Sequence, residues 1–113
     1  MAENLILETD DRGDLTVVSV KGEVDLYTAP SLKEAIADLV SSGRSKIVVD
    51  LAGVEFMDST GLGVLIGALK RCKEAGGSLA LAGPGESVLK VLAITGLDKV
   101  FSIHSDVEQA ASP

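Results

Sequence analysis

Two hydroxyls and a carboxylate stand side by side in Phe56-Met57-Asp58-Ser59-Thr60-Gly61-Leu62-Gly63, where an apolar run hands over to a helical pattern. A hydroxyl at such a helix start faces water and lies at the positive end of the helix dipole. Three chemistries suit that position: capping the helix, accepting a phosphate, or docking a partner. Capping is the default for a serine before a helix and contributes about 1 kcal/mol. Here Asp58 and Thr60 can also cap, which leaves Ser59 spare. Gly61 and Leu62 follow without bulky charge, so the surface reads as approachable. A phosphate on Ser59 adds about −1.5 to −2 charges. The helix dipole tolerates that charge, whereas Asp58 and an apolar partner surface do not. These are the requirements of a binding switch.

Conventional catalysis is poorly supplied. His104 is the only histidine and Cys72 the only cysteine, and neither has neighbours at metal-ligand spacing. No G-x-S-x-G elbow surrounds Ser59, so a serine hydrolase lacks its geometry. His104 reads as a partly exposed loop histidine near the end of the last strand, and Cys72 as a buried thiol. Gly61-Leu62-Gly63 with Gly67 puts the third glycine one position too late for a dinucleotide fingerprint, and a Walker lysine is absent. Asp10-Asp11 and Asp50 invite comparison with a response-regulator receiver. Such a site needs its acids at the C-terminal ends of parallel strands, and Asp10 and Asp11 are expected in a hairpin turn. They read as solvated loop acids. No catalytic residue, cofactor site or metal site is expected.

The elements that position the octapeptide follow from periodicity. Leu5-Ile6-Leu7 and the alternating Leu15-Thr16-Val17-Val18-Ser19-Val20 predict an antiparallel hairpin around a polar turn at residues 9–14. Gly22 to Tyr27 reads as a loop or a bent strand end. Thr28-Ala29-Pro30 opens a helix, whose inner face is Leu32, Ile36, Leu39 and Val40, and Ser41-Ser42-Gly43 ends it. Lys46-Ile47-Val48-Val49-Asp50-Leu51 suits a central strand buried on both faces, with Ala52 to Met57 as a connection. A helix is expected from Ser59 to about Glu74, closed by Gly76-Gly77, with Gly63 and Gly67 permitting close approach of a neighbour. Then come a strand at Ser78–Ala82 and a Gly83-Pro84-Gly85 turn. The next helix runs from Glu86 to Thr95 with Val88, Leu89, Leu92 and Ala93 inward. A last strand is expected at Val100–Ile103, and Ser105-Asp106-Val107-Glu108 resembles a capping box before a terminal helix. The order is ββαβαβαβα: an α/β fold with a mixed sheet that starts with an antiparallel hairpin and carries packed helices. With no repeat or linker, residues 1–113 read as one domain.

Bulk composition narrows the partners. Hydrophobic residues make up 46% of the 113 and aromatics 3%, so the core must be aliphatic. The net charge of −7 opposes nucleic acid and anionic membrane as partners and favours a basic protein surface. A lone cysteine forms no internal disulfide, which fits a reducing cytosol. No apolar run reaches the roughly 18–20 residues of a membrane span, and Met1-Ala2-Glu3-Asn4 lacks a signal-peptide start. A cytoplasmic protein is expected.

The chain resembles the STAS-domain family, specifically the stand-alone bacterial anti-sigma-factor antagonists. The resemblance is carried by Gly22-Glu23-Val24-Asp25, Val48-Val49-Asp50-Leu51, the octapeptide, and Ile94-Thr95-Gly96-Leu97-Asp98-Lys99-Val100-Phe101. It implies partner switching. An anti-sigma factor that is also a serine kinase would use its own ATP to phosphorylate Ser59, the first hydroxyl residue after the motif aspartate. The unphosphorylated antagonist would bind that partner and free the sigma factor, and a PP2C-type phosphatase would restore the serine. The resemblance further implies partner contacts through Glu23, Asp25, Asp58, Ser59, Thr60, Gly61 and Leu62; separately, a monomer is expected when the chain is free. For Glu23 and Asp25 a loop that helps cap the first helix is an equal alternative. Asp58 is expected to shape the helix start rather than to act chemically. The competing reading is a scaffold or sensor-assembly module in which Ser59 is only a cap.

Overall fold

A computed structural model describes residues 5–111; the Met1–Asn4 stretch read above for a signal start lies outside them. Strands β1 (Leu5–Arg12) and β2 (Leu15–Val24) precede helix α1 (Ala29–Ser41). Strand β3 (Lys46–Met57), helix α2 (Ser59–Glu74), strand β4 (Ser78–Ala82) and helix α3 (Glu86–Ile94) follow. A single 3-10 turn at Leu97–Lys99, strand β5 (Ser102–His104) and helix α4 (Val107–Ala111) complete the order expected from periodicity. The sheet runs β1-β2-β3-β4-β5, with β1 antiparallel to β2 and all other neighbours parallel.

Alternation along the strands builds two cores of unequal size. Val18, Val20, Ile47, Val49, Leu51, Leu79 and Leu81 point to one face, where α1, α2 and α3 deliver Leu32, Ile36, Leu62, Leu65, Val88 and Leu92. Val17, Val48 and Ala82 point to the other, where Val107 and Ala110 of α4 cover them. The continuous apolar run at residues 47–49 is thus buried on both faces, as a central parallel strand requires.

Several local expectations are corrected. The hairpin turn is confined to Gly13-Asp14, and Asp10 and Asp11 pair with Val17 and Thr16 inside the ladder. They are ion-paired strand residues, Asp10 with Arg12 and Asp11 with Arg44, rather than loop acids. Residues 52–57 continue β3 instead of connecting it to the helix. Two bulges in β3, opposite Ser19–Lys21 and Gly22–Glu23, each add a residue and rotate the strand. Leu51, Val54 and Met57 therefore all enter the helix-side core at a spacing of three, which matches neither strand nor helix periodicity. On α3 only Val88 and Leu92 of the expected inner face are buried, while Leu89 and Ala93 are exposed. Strand β5 begins at Ser102, with Phe101 packed in the core and Val100 outside. The terminal helix is capped by Asp106, whose Oδ1 accepts from the Gln109 amide at 2.8 Å, not by Ser105.

Helix α2 ends as its glycines demand. The Gly77 amide donates to Cys72 O and the Gly76 amide to Lys73 O, a Schellman closure with Gly76 at φ 82°. The interior glycines behave differently from one another. A Cβ on Gly61 would meet Met57 Cγ at 2.7 Å and Val24 Cγ1 at 2.8 Å, so this residue seats α2 on the sheet. A Cβ on Gly63 or Gly67 would meet nothing within 4 Å. The close internal approach expected at these two positions is absent, and each forgoes about 1 kcal/mol of helix propensity relative to alanine.

Chemical denaturation of paired variants checks this division. Gly61→Ala should destabilise the protein by about 1–3 kcal/mol through overpacking. Gly67→Ala should stabilise it by roughly 0.5–1 kcal/mol. Cys72 supplies a second check, because it is fully buried and its thiol pKa is raised by that burial, only partly offset by Arg71. A thiol-alkylating reagent near neutral pH should modify it roughly 100-fold more slowly in the folded protein than in denaturant. Since the folded pKa lies above the unfolded one, the thiol's stabilising contribution is full below the unfolded value. It is lost as pH rises through the folded value.

Candidate phosphoacceptor site

The parallel pairing of β2 and β3 brings both strand ends to one edge of the molecule. Glu23 lies opposite Phe56 and Val24 opposite Met57. The Asp58 amide then donates to Val24 O at 3.1 Å, fixing the point at which the chain leaves the sheet. Asp58 is extended and serves as N-cap, its Oδ1 accepting from the Gly61 amide at 3.0 Å. Ser59 is the first helical residue. It is exposed, and its hydroxyl has no hydrogen-bond partner among the described residues. Thr60 is half-buried and turns toward the cleft between α1 and α2.

Asp58 therefore performs the capping that left Ser59 spare in the sequence reading. Gly61 and Leu62 do not provide the approachable surface expected of them. Both face inward, and Leu62 is only 6% exposed. Helical geometry explains this, because a serine at the outer edge of the first turn places the residues two and three further on against the sheet.

The acidic residues before α1 divide in the same way. Asp25 Oδ1 accepts from the amides of Tyr27 at 2.9 Å and Thr28 at 3.0 Å. Buried Thr28 donates its hydroxyl to Glu23 O at 2.7 Å and accepts from the Asp25 amide at 2.9 Å. Asp25 thus folds the loop that starts α1. Thr28 stands at the N-cap position without capping the helix through its side chain, and Pro30 occupies the first turn. The Glu23 carboxylate makes no hydrogen bond among the described residues and is half-buried near the end of β2.

This closed turn pushes apolar side chains outward, a feature that the sequence reading missed. Leu26 is 62% exposed, Tyr27 85% and Phe56 50%. Two of the three aromatic residues are thus spent on the surface, at the strand ends that also position Ser59. Exposed aromatics are characteristic anchors of protein interfaces. The available signal was composition: a chain with so few aromatics placed two of them in the segments flanking its hydroxyl motif.

Chemically, the site offers a solvent-facing nucleophile at a helix start, but no base beside it. Asp58 Oδ1 is engaged with the helix backbone. His104 is not a loop residue but the last of β5, paired with Ala82, and its Nε2 is 2.9 Å from Ser102 Oγ. Among the described residues no three His, Cys, Asp or Glu side chains gather as metal ligands. No described helix is long and apolar enough to cross a membrane. The geometry suits a residue acted upon by another protein.

Known proteins are similar to this chain in sequence and fold. Residues 7–110 match the STAS domain family. An anti-sigma-B factor antagonist of Staphylococcus epidermidis is 36% identical over 105 residues, spanning 93% of this chain and 97% of that protein. The crystal structure of an anti-sigma factor antagonist from Mycobacterium paratuberculosis superposes with a TM-score of 0.85 at 32% identity, covering 94% of this chain and 90% of that one. SpoIIAA shares the fold in its unphosphorylated form, with a TM-score of 0.81, 21% identity and coverage of 93% and 92%. The phosphorylated form from Bacillus does so with a TM-score of 0.72, 24% identity and coverage of 94% and 95%. The match across nearly the whole chain and the identity to the staphylococcal and mycobacterial proteins place this chain in the STAS domain family, alongside the anti-sigma factor antagonists.

Proposed function

We propose that the chain is an anti-sigma factor antagonist, acting as one cytoplasmic domain that is switched by phosphorylation of Ser59. Unmodified, it binds an anti-sigma factor that is also a serine kinase, and the sigma factor is released. The kinase transfers the γ-phosphoryl group of its ATP to Ser59 Oγ, the hydroxyl proton leaves, and ADP is formed. A PP2C-type phosphatase hydrolyses the phosphoserine to serine and inorganic phosphate. The kinase and phosphatase hold the reaction machinery; this chain supplies the substrate hydroxyl and the docking surface.

One observation carries the reading: the Ser59 hydroxyl is exposed and unengaged because Asp58 has taken the cap. The scaffold alternative, with Ser59 as a cap only, loses its premise at the same point. Thr60, the neighbouring hydroxyl, is half-buried and is the poorer acceptor. A phosphate on Ser59 lies in the first turn of a sixteen-residue helix, where a negative charge is favoured by about 0.3–1 kcal/mol. The fold therefore keeps its shape on modification. The penalty falls on the interface, where the phosphate must be desolvated beside Asp58 and near Leu26 and Tyr27.

Incubation with the cognate anti-sigma kinase and ATP should add one phosphate to the wild-type chain and none to Ser59→Ala. Full-stoichiometry phosphorylation of Ser59→Ala would refute the acceptor assignment. Ser59→Asp should bind that kinase at least tenfold more weakly, about 1.4 kcal/mol, while Ser59→Ala retains its affinity. Asp58→Ala should lower unfolding free energy by about 1 kcal/mol through loss of the cap, and Asp58→Asn should restore most of it.

A further inference from the structure

The α1–α2 cleft is a groove of about 390 Å³ that opens beside the phosphoacceptor. Thr60 lies at its head, and Arg71 lies about 16 Å further along α2, three helical turns away. Val64 and Ala68 give it an apolar floor, Gly63 and Gly67 leave its wall without side chains, and Lys33 of α1 stands across from them. No internal neighbour uses the space above these two glycines. The charge is the reverse of what the chain as a whole predicts. Lys33 and Arg71 line the cleft and Lys70 the adjoining hollow past Gly67; none makes an ion pair among the described residues, and the one carboxylate lining either space is Glu74, in that hollow. In a chain of net charge −7, this is a local basic strip.

We infer that the α1–α2 groove receives an acidic helix of the anti-sigma factor, with Gly63 and Gly67 admitting its backbone and Lys33 and Arg71 meeting its carboxylates. A cleft that runs between two helices and is walled by glycines suits a third helix laid along it. The apolar floor requires an apolar stripe on that helix, and the cations select acidic flanks. The basic partner favoured by net charge alone is thereby replaced, at this groove, by an acidic one. The occupant also gives the Ser59 phosphate a target. Thr60 adjoins Ser59, so a phosphate there lies within a Debye length of about 8 Å of the groove's head and repels an acidic helix. This inference rests on the antagonist reading above.

The test is a calorimetric titration of the purified cognate anti-sigma factor with groove variants of the full chain, alongside Ser59→Asp. Lys33→Glu and Arg71→Glu should each weaken binding at least tenfold, by a factor that shrinks as salt is raised. Both are surface positions, and unchanged melting temperatures verify their fold. Gly67→Ala supplies a readout of opposite sign: it should raise the melting temperature by a few degrees yet weaken binding severalfold. Groove variants that bind like wild type while Ser59→Asp binds poorly would overturn the groove and leave the phosphoswitch standing. Failure of the wild-type chain to bind any anti-sigma factor would overturn both. A wild-type dimer in sedimentation that Arg71→Glu dissociates would assign the groove to a second copy and overturn the inference.

Discussion

The backbone hydrogen bond from Asp58 to Val24 O, with Gly61 packed on Val24 and Met57, joins the end of the sheet to the start of α2. The proposed phosphoacceptor takes its position from that joint. The joint requires β2 and β3 to stay paired to their ends, across two β3 bulges that shift the register and turn Val54 and Met57 into the core. It also requires a residue without a Cβ at position 61, because a methyl there would collide with Val24. Once the joint is made, Asp58 is the natural cap, and Ser59 emerges into water on a rigid support. A loose loop would expose a serine equally well. It would not hold the serine at a fixed distance from Tyr27 and the α1–α2 cleft.

The part of this arrangement governed by short-range rules was legible in the sequence. Alternation, the Thr28-Ala29-Pro30 start, and Gly43 and Gly76 as helix stops gave the order of elements, since each depends on residues within one turn of itself. The spare hydroxyl at Ser59 was legible for the same reason: a cap is a contact between positions three apart. Asp25 was ambiguous because its hydrogen bonds to the amides of Tyr27 and Thr28 form only when the chain turns back there. The misreadings share a non-local cause. Residues 52–57 were taken as a connection because bulges erase period two, and the bulges exist only relative to β2. Gly63 and Gly67 were assigned an internal neighbour, when α2 in fact turns them outward. The exposure of Leu26, Tyr27 and Phe56 depends on strand pairing that no local pattern displays.

Charge follows the same division. The chain is acidic as a whole, and four of its acids, Glu8, Asp10, Asp11 and Glu108, are paired on β1 and α4 with Arg12, Lys21 or Arg44. Such surface pairs add little stability. Lys33 and Arg71, which line the cleft, have no such ion pair among the described residues. A phosphate proposed at Ser59 would stand beside Asp58 at the head of that cleft, where its charge opposes an acidic partner rather than the fold.

The central claim is that phosphorylation acts on the interface and leaves the fold intact. The most direct measurement compares unmodified and enzymatically phosphorylated protein in one calorimetric titration against the anti-sigma factor, with thermal unfolding of each. The account predicts an affinity at least tenfold lower for the phosphoprotein, with a melting temperature equal to or slightly above that of the unmodified chain. Equal affinities, or a phosphoprotein that loses binding only because it unfolds, would contradict it.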